Sequence, residues 1–425
     1  MLCTSTKVTT QIQVGTVSLV NVHPKAKTDN ATSPSKCKIT IDANGDDFYV
    51  PDYSINDVLN AIPRKCFESS LWTSFSYVFR DIFFMILFAY ASNYIQYVPY
   101  LNIRILLWTI YVNLIALPMT GLWILAHECG HGAFSKFTWV NDITGWILHS
   151  YSLNPYFSWK ASHRKHHKYN GHLRKDMAFV PPTTEEWKMR RGIKLLSEIT
   201  EDSPIASMTT LLIQQVAGFQ AYLLTDATGQ RHPELEGKWW HQFLASHLNP
   251  TAPLFDKSDF WYIIVSDIGI VAQLLICHLW VHNFGWFNFT VHWLIPYILV
   301  NHWIVFITFL QHTDIRVPRY DSNQWTFARG AGATIDRDFG FVGEFFFHDL
   351  IETHVIHHYC GRIPFYQARM ATEAIKPVLG VHYLRSDENM FLMLWKAIRW
   401  CEFVEGDDGV MMFRNHNGAG VMPQG

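Results

Sequence analysis

The chain alternates between long uncharged stretches and polar ones, and the uncharged stretches set the first expectations. After Arg80-Asp81 an apolar run extends from Ile82 to Leu101, and a second runs from Ile105 to Ala126 and ends directly on His127. About 20 residues of helix cross roughly 30 Å of hydrocarbon, so each run predicts one membrane span. A third stretch, Ile268 to Thr313, contains no Asp, Glu, Lys or Arg. One helix of that length exceeds a bilayer, so the pattern predicts two spans that meet near Asn283 to Asn288, with Gly285 at the turn and aromatics at the interface. The spans expected are therefore about 82–101, 105–126, 262–282 and 291–311, arranged as two hairpins. Ile205 to Leu224 is also apolar but carries Gln214, Gln215 and Gln220, which suits an interfacial or re-entrant helix better than a span. Ser54 and Asp57 have capping-box spacing and predict a short helix ahead of the first span.

Basic residues crowd the segment between the hairpins: Lys136, Lys160, Arg164, Lys165, Lys168, Arg174, Lys175, Lys188, Arg190, Arg191 and Lys194, against few acids. The positive-inside rule puts that segment, and with four spans both termini, in the cytosol. The fold class expected is an all-α integral membrane protein, four transmembrane helices with a cytosolic helical cap. Residues 1–45, rich in Thr, Ser, Lys and Asn toward the start, read as a disordered tail, 46–405 as the membrane domain and 406–425 as a C-terminal tail. The N-terminus has no continuous apolar core, so insertion rests on the internal spans.

Composition agrees with a lipid environment, since 15% of residues are aromatic and only 16% charged, against about 25% charged in soluble proteins. A net charge of −2 gives no reason to expect nucleic-acid binding. Seven dispersed cysteines without a C-x-x-C spacing argue against a disulfide scaffold or a zinc ribbon.

The chemistry lies in the histidines. Three clusters, His127 and His131, then His163, His166 and His167, then His354, His357 and His358, have spacings of i,i+4 and twice i,i+3,i+4. On a helix those offsets share a face, so each cluster presents its imidazoles to one point. Cys129 falls on another side of its helix and reads as packing. A lone histidine is more often structural than a metal ligand, but eight at this spacing on one predicted face are a metal-binding set. One structural zinc is saturated by four ligands, so the number suits two metal ions with open positions for oxygen, for which iron is the natural candidate. His312 closes the fourth span as His127 closes the second and becomes a ninth candidate ligand. His348, Asp176, Asp349 and Glu352 are placed to orient a ligand through its other ring nitrogen, with surface charge or helix capping as the alternative for the acids. His278 and His282 fall at the far end of the third span and read as structural.

At these residues the chain resembles the membrane fatty-acid desaturases, in particular the delta-12 oleate desaturases of fungi and plants. The resemblance covers the first box within 126–135 (AHECGHGAFS), the second at 163–167 (HRKHH) and the third at 354–358 (HVIHH). It also covers the strings at 60–63 (NAIP), 145–149 (GWILH), 176–181 (DMAFVP), 310–314 (LQHTD), 336–340 (DRDFG) and 374–380 (AIKPVLG). It implies four spans with a cytosolic cap, two iron ions, O2 as co-substrate, endoplasmic reticulum residence, and removal of two hydrogens from an oleoyl chain esterified in a phospholipid. The chain has no His-Pro-Gly-Gly haem motif, so the resemblance implies cytochrome b5 and its reductase as separate electron donors. Two departures stand out: Gly132 directly after the first box, where many relatives carry His or Gln, and Ile356 inside the third, where a small residue is usual. Relatives with the same boxes make hydroxyl groups, triple bonds or conjugated double bonds, so an acetylenase, hydroxylase, conjugase or omega-3 desaturase is the nearest alternative. A metal transporter is the alternative from another class, but it needs polar ligands at mid-membrane, whereas these boxes lie at one face.

Overall fold

The computed structural model describes residues 40–192, 203–235 and 237–418; the expectations for 1–39, Lys194 and 419–425 lie outside the described residues. A short antiparallel pair, β1 (Thr40–Ile41) and β2 (Asp47–Phe48), leads into α1 (Ile55–Ala61). Ser54 Oγ accepts from Asp57 N at 3.2 Å and the Asp57 carboxylate accepts from Ser54 N at 2.8 Å, the capping box that the spacing predicts.

Two long helices follow and pack against each other, α2 (Leu71–Ser92) and α3 (Leu101–His131). α2 starts at Leu71 and not at Ile82, because Arg80 and Asp81 do not end the helix. Arg80 Nη2 lies 2.8 Å from Asp81 Oδ1, and His348 Nε2 lies 3.0 Å from Asp81 Oδ2. Charges that are paired and hydrogen-bonded to each other continue inside an apolar helix at lower cost than a lone charge. α3 is the central helix, buried almost continuously from Ile115 to Cys129. Gly132 takes φ +72°, the left-handed position that closes a helix, so α3 stops directly after His131.

The chain continues through α4 (Thr138–Tyr151), α5 (Tyr156–Tyr169), α6 (Thr184–Gly192) and α7 (Pro204–Thr225). α7 coincides with the apolar, glutamine-bearing stretch. It buries Leu211, Gln215, Phe219 and Leu223, four residues apart, packs on the helix that ends at His312, and exposes Ile205, Met208, Leu212 and Val216. Then come α8 (Phe260–Phe289), a wide turn at Thr290–Leu294 and α9 (Ile295–His312). Gly285 sits at φ 80°, ψ 163° inside α8, a conformation open to glycine, and bends the chain where two spans were predicted to meet. Among the described residues, three stretches are long and apolar enough to cross a membrane: Leu71–Tyr97, Leu101–His131, and Lys257–His312 with this bend inside it. Their outer faces are apolar and exposed, with Phe79, Phe83, Ile86 and Tyr90 along α2 and Ile268, Val271 and Leu275 along α8. Rows of that kind belong against lipid.

The remaining chain carries β3 (Arg319–Tyr320), α10 (Phe327–Ala331), β4 (Asp336–Arg337), α11 (His354–Tyr359), α12 (Phe365–Leu379), β5 (Arg385–Ser386) and α13 (Met390–Trp400). It ends with β6 (Phe403–Asp407) and β7 (Val410–Arg414). β3, β7 and β6 form an antiparallel sheet in which Tyr320 pairs with Val410 and Val404 with Phe413, while β4 runs parallel to β5. These strands correct the all-helical expectation, and the hairpin lies partly inside the segment 406–425 expected as a tail. Its signal is Asp408-Gly409, with φ of 50° and 81°: both residues left-handed make the tight turn that joins twisted strands. β1 likewise begins inside the tail expected over 1–45. The main core lies where α3, α7 and α9 meet residues 339–351 and α13.

Candidate metal centre

Each predicted cluster lands on a helix. His127 and His131 occupy the last turns of α3, the second box lies on α5, the third on α11, and His312 is the last residue of α9. Four separate elements thus bring nine imidazoles together, in two groups. In the first, one ring nitrogen from each of His127, His131, His163, His167 and His357 lies within 4.8 Å of all the others. In the second, His166, His312 and His358 meet the same condition. His354 joins them, its Nε2 lying 3.2 Å from His312 Nε2 and 3.0 Å from His358 Nε2.

The spacing fits metal ions. Nitrogens bound about 2.1 Å from one metal at right angles lie about 3 Å apart. Hydrogen bonds do not account for the arrangement, since a neutral imidazole nitrogen offers one proton or one lone pair. Yet His163 Nε2 has the nitrogens of His127, His131 and His167 at 3.0, 3.0 and 3.1 Å. His357 Nε2 is buried with no hydrogen-bond partner, a donor left for something other than protein. Burial first, and then repulsion among neighbouring imidazoles, hold His163, His167, His354, His357 and His358 well below the usual histidine range. These rings are neutral, each with a lone pair for a metal.

Two of the larger cavities among the described residues reach the histidines. An apolar one of about 150 Å³ is walled by Trp123, Ile124, Phe219, Tyr222, Ile307 and Leu350 among others, and ends on His127, His163, His166, His312 and His354. A second, of about 650 Å³, has a mixed polar and apolar lining and reaches His131, His163, His167 and His358. Lys136, Lys160, Arg164, Lys168 and Arg362 line it, Lys160 paired with Asp142 at 2.5 Å and Arg164 3.9 Å from Asp259, and among the described residues no carboxylate lines the cleft itself. Trp159 borders both and stacks on His163 at 4.3 Å between ring centres, with 20° between planes.

A fatty acid desaturase family model matches residues 106–388, about two thirds of the chain. The chain belongs to the fatty acid desaturase family. This desaturase-family enzyme, an oxidoreductase, is 42% identical to an oleate hydroxylase of Claviceps purpurea over 90% of its own length and 85% of that protein. It is 35% identical to a delta(12) fatty acid desaturase of Mortierella alpina, over 90% of this chain and 95% of the relative. With a delta(12) acyl-lipid conjugase of Impatiens balsamina the identity is 36%, over 84% of this chain and 89% of the relative.

Among the residues expected to orient ligands, Asp176 reaches a box histidine: its buried Oδ1 lies 2.6 Å from His166 Nδ1, which leaves Nε2 for the second group. The other three do not reach the boxes. His348 is held by Asp81 and Arg80, Asp349 by Arg369 at 2.5 Å, and Glu352 accepts from Phe339 N at 3.1 Å. They brace the approach to α11 instead. Ile356 points away from the rings into a separate apolar cluster with Val58, Cys66 and Ile363, so it shapes packing behind the third box. Cys129 packs against Leu125, Phe134 and Tyr156 as expected. His278 and His282 are exposed on α8 and join neither group.

Sequence reasoning missed two buried arginines. Arg319 donates to His312 O at 2.6 Å and lies 3.8 Å from Asp176 Oδ2, and Arg337 donates to Leu310 O at 2.8 Å and Thr313 O at 3.1 Å. A helix end leaves carbonyls without partners and attracts cations, so the pair fixes the end of α9 and His312 with it. It also missed Asp336, which accepts from Val355 N at 2.7 Å and caps the start of α11. Arg337 and Asp336 lie in the DRDFG string, whose charges inside an apolar neighbourhood were the available signal.

Proposed function

We propose that this enzyme removes two hydrogens from an oleoyl chain carried on membrane phospholipid, placing a cis double bond at delta-12 to give a linoleoyl lipid. The observation that carries the reading is the set of nine imidazoles, five of which, His127, His163, His166, His312 and His354, close an apolar cavity. An unactivated methylene has no acidic proton for a side chain to take. His127, His131, His163, His167 and His357 would hold one iron ion and His166, His312, His354 and His358 a second, and the bound metals would supply the oxidising chemistry with O2. The reaction balances: two hydrogens leave the chain, two electrons arrive from a donor, and one O2 with two protons becomes two waters. The protein's own part is geometric. Trp123, Ile124, Phe219 and Leu350 exclude water and hold the chain beside the histidines.

The basic cleft, in which Lys136, Lys168 and Arg362 add to the paired Lys160 and Arg164, supports an acidic electron donor, cytochrome b5 with its reductase, docking on the side away from the lipid. The bend at Gly285 supports four spans in two hairpins, and the basic segment between the hairpins supports boxes and termini in the cytosol; residence in the endoplasmic reticulum membrane is part of the same proposal. Expression in a yeast that makes no polyunsaturated fatty acid, followed by lipid analysis, tests the reading. Linoleate is expected, and absence of any oxidised oleoyl product at normal protein level refutes it. The 42% identical oleate hydroxylase favours a second reading, in which a hydroxyl group enters the chain. A hydroxylated main product in the same assay selects it.

A further inference from the structure

Segment 246–255 lies far in sequence from every box, yet His247 is fully buried beside the second one. Its Nε2 lies 3.0 Å from Ser162 Oγ, and Ser162 directly precedes His163. The same hydroxyl receives Tyr222 Oη at 3.3 Å and points to Trp159 O at 3.1 Å. A serine has one proton and two lone pairs. With the proton given to Trp159 O, both lone pairs are taken, one by the tyrosine hydroxyl and one by His247 Nε2–H. Burial lowers the His247 imidazole to about 4, so the ring is neutral and carries a single N–H. His247 N also donates to Leu223 O at 2.8 Å, Ser246 Oγ to the same carbonyl at 3.3 Å, and the His247 ring lies 4.6 Å from that of Tyr222. These contacts join α5, which carries three of the nine rings, to the end of α7, whose Gly218, Phe219 and Tyr222 wall the apolar cavity.

We propose that His247 is a positioning residue for specificity: through Ser162 and Tyr222 it sets where the α7 wall stands relative to His163 and His166, and so which acyl carbon lies at the site. The inference rests on the lipid-oxidising reading above. Successive methylenes are closer together than residues along a helix, about 1.5 Å, so a small shift of the wall changes the carbon presented. A displacement of about 1 Å is enough to cost roughly 100-fold in rate at the correct carbon.

The test compares parent, His247→Ala, Ser162→Ala and Tyr222→Phe, each purified as the full chain. Backbone hydrogen exchange across 216–225 is expected to rise at least about tenfold in His247→Ala and Ser162→Ala, with 115–129 unchanged, as a buried hydrogen-bond network is lost. In yeast lipids the variants are expected to yield a second positional isomer as more than about a tenth of product, at unchanged iron content. Local loosening without any change of position is what a merely structural role gives, and it overturns the proposal. So does unchanged exchange across 216–225. If His247→Ala does not accumulate, Tyr222→Phe, which removes one hydroxyl, decides alone by the same two readouts. A parent that yields no oxidised lipid refutes the function; a parent with product and variants with identical isomers refute only the role of His247.

Discussion

In the first histidine group three of the five rings, those of His131, His163 and His167, keep some contact with solvent, whereas His166, His312 and His358 of the second are all buried. The supports differ as well. His166 is held by Asp176, and Arg319 reaches both Asp176 and the carbonyl of His312. In the first group the nearest carboxylate contact is Glu128 Oε1, 3.5 Å from His127 Nδ1, beyond hydrogen-bond range. The same ring type therefore makes one open, loosely braced site on the basic cleft and one closed, firmly braced site at the end of α9. His131, His163 and His167 of the open group border the basic cleft, and His166, His312 and His354 of the closed group border the apolar cavity.

Removing a ring is expected to erase the contrast, because each metal then loses a first-hand ligand. His131→Ala, His166→Ala, His357→Ala and His312→Ala should each lower product by more than about 100-fold, beyond the usual effect of outer partners. His278→Ala and His282→Ala should keep activity. Lipid analysis at matched protein level reads this series. Near-normal conversion by His312→Ala would remove the ninth ligand and with it the symmetry of the two groups.

Asp176→Asn sharpens the comparison, since it touches the closed group alone. Metal affinity there should fall about 10–100-fold, and titration with a chelator should then release one metal well before the other. Release of both together would mean that the carboxylate braces the whole centre.

Acid separates the groups in another way. His163, His167, His354, His357 and His358 are held below the usual range when folded, while in the unfolded chain they protonate near 6.5. Below that pH the unfolded state binds more protons, so stability falls as pH drops from about 6.5 toward the folded values. Thermal unfolding of metal-stripped protein between pH 7.5 and 5.5 should show a falling midpoint. In loaded protein the open group should lose its metal first.

The smallest effect is expected at the cleft. Lys136→Glu, Lys168→Glu and Arg362→Glu should each raise the KM for an acidic donor a few-fold, with the effect shrinking as salt rises and kcat unchanged. A steady-state titration with the donor at two salt concentrations measures it.

Much of this arrangement was legible in the sequence because its signals are local. The offsets of His163, His166 and His167 state a helix face without reference to any other segment, and the uncharged run to His127 places the first box at a span's end. Gly285 marked the bend for the same reason. What stayed hidden depends on long-range partners. Asp176 and Arg319 meet only after the segment that follows α5 is brought against β3, and nothing near His247 announces Ser162. Asp349 and Glu352 have the right type and distance along the chain, but the left-handed backbone at His348 and Asp349 turns this stretch toward α2 and α12. The β6–β7 hairpin was readable from Asp408-Gly409, and the expectation of a tail passed over it.

The metal content of active, purified protein tests the central claim most directly. Two groups of imidazoles predict about two irons per chain, retained in the fraction that converts oleate. Stoichiometric zinc alone, or a single iron, in protein with full activity would contradict it.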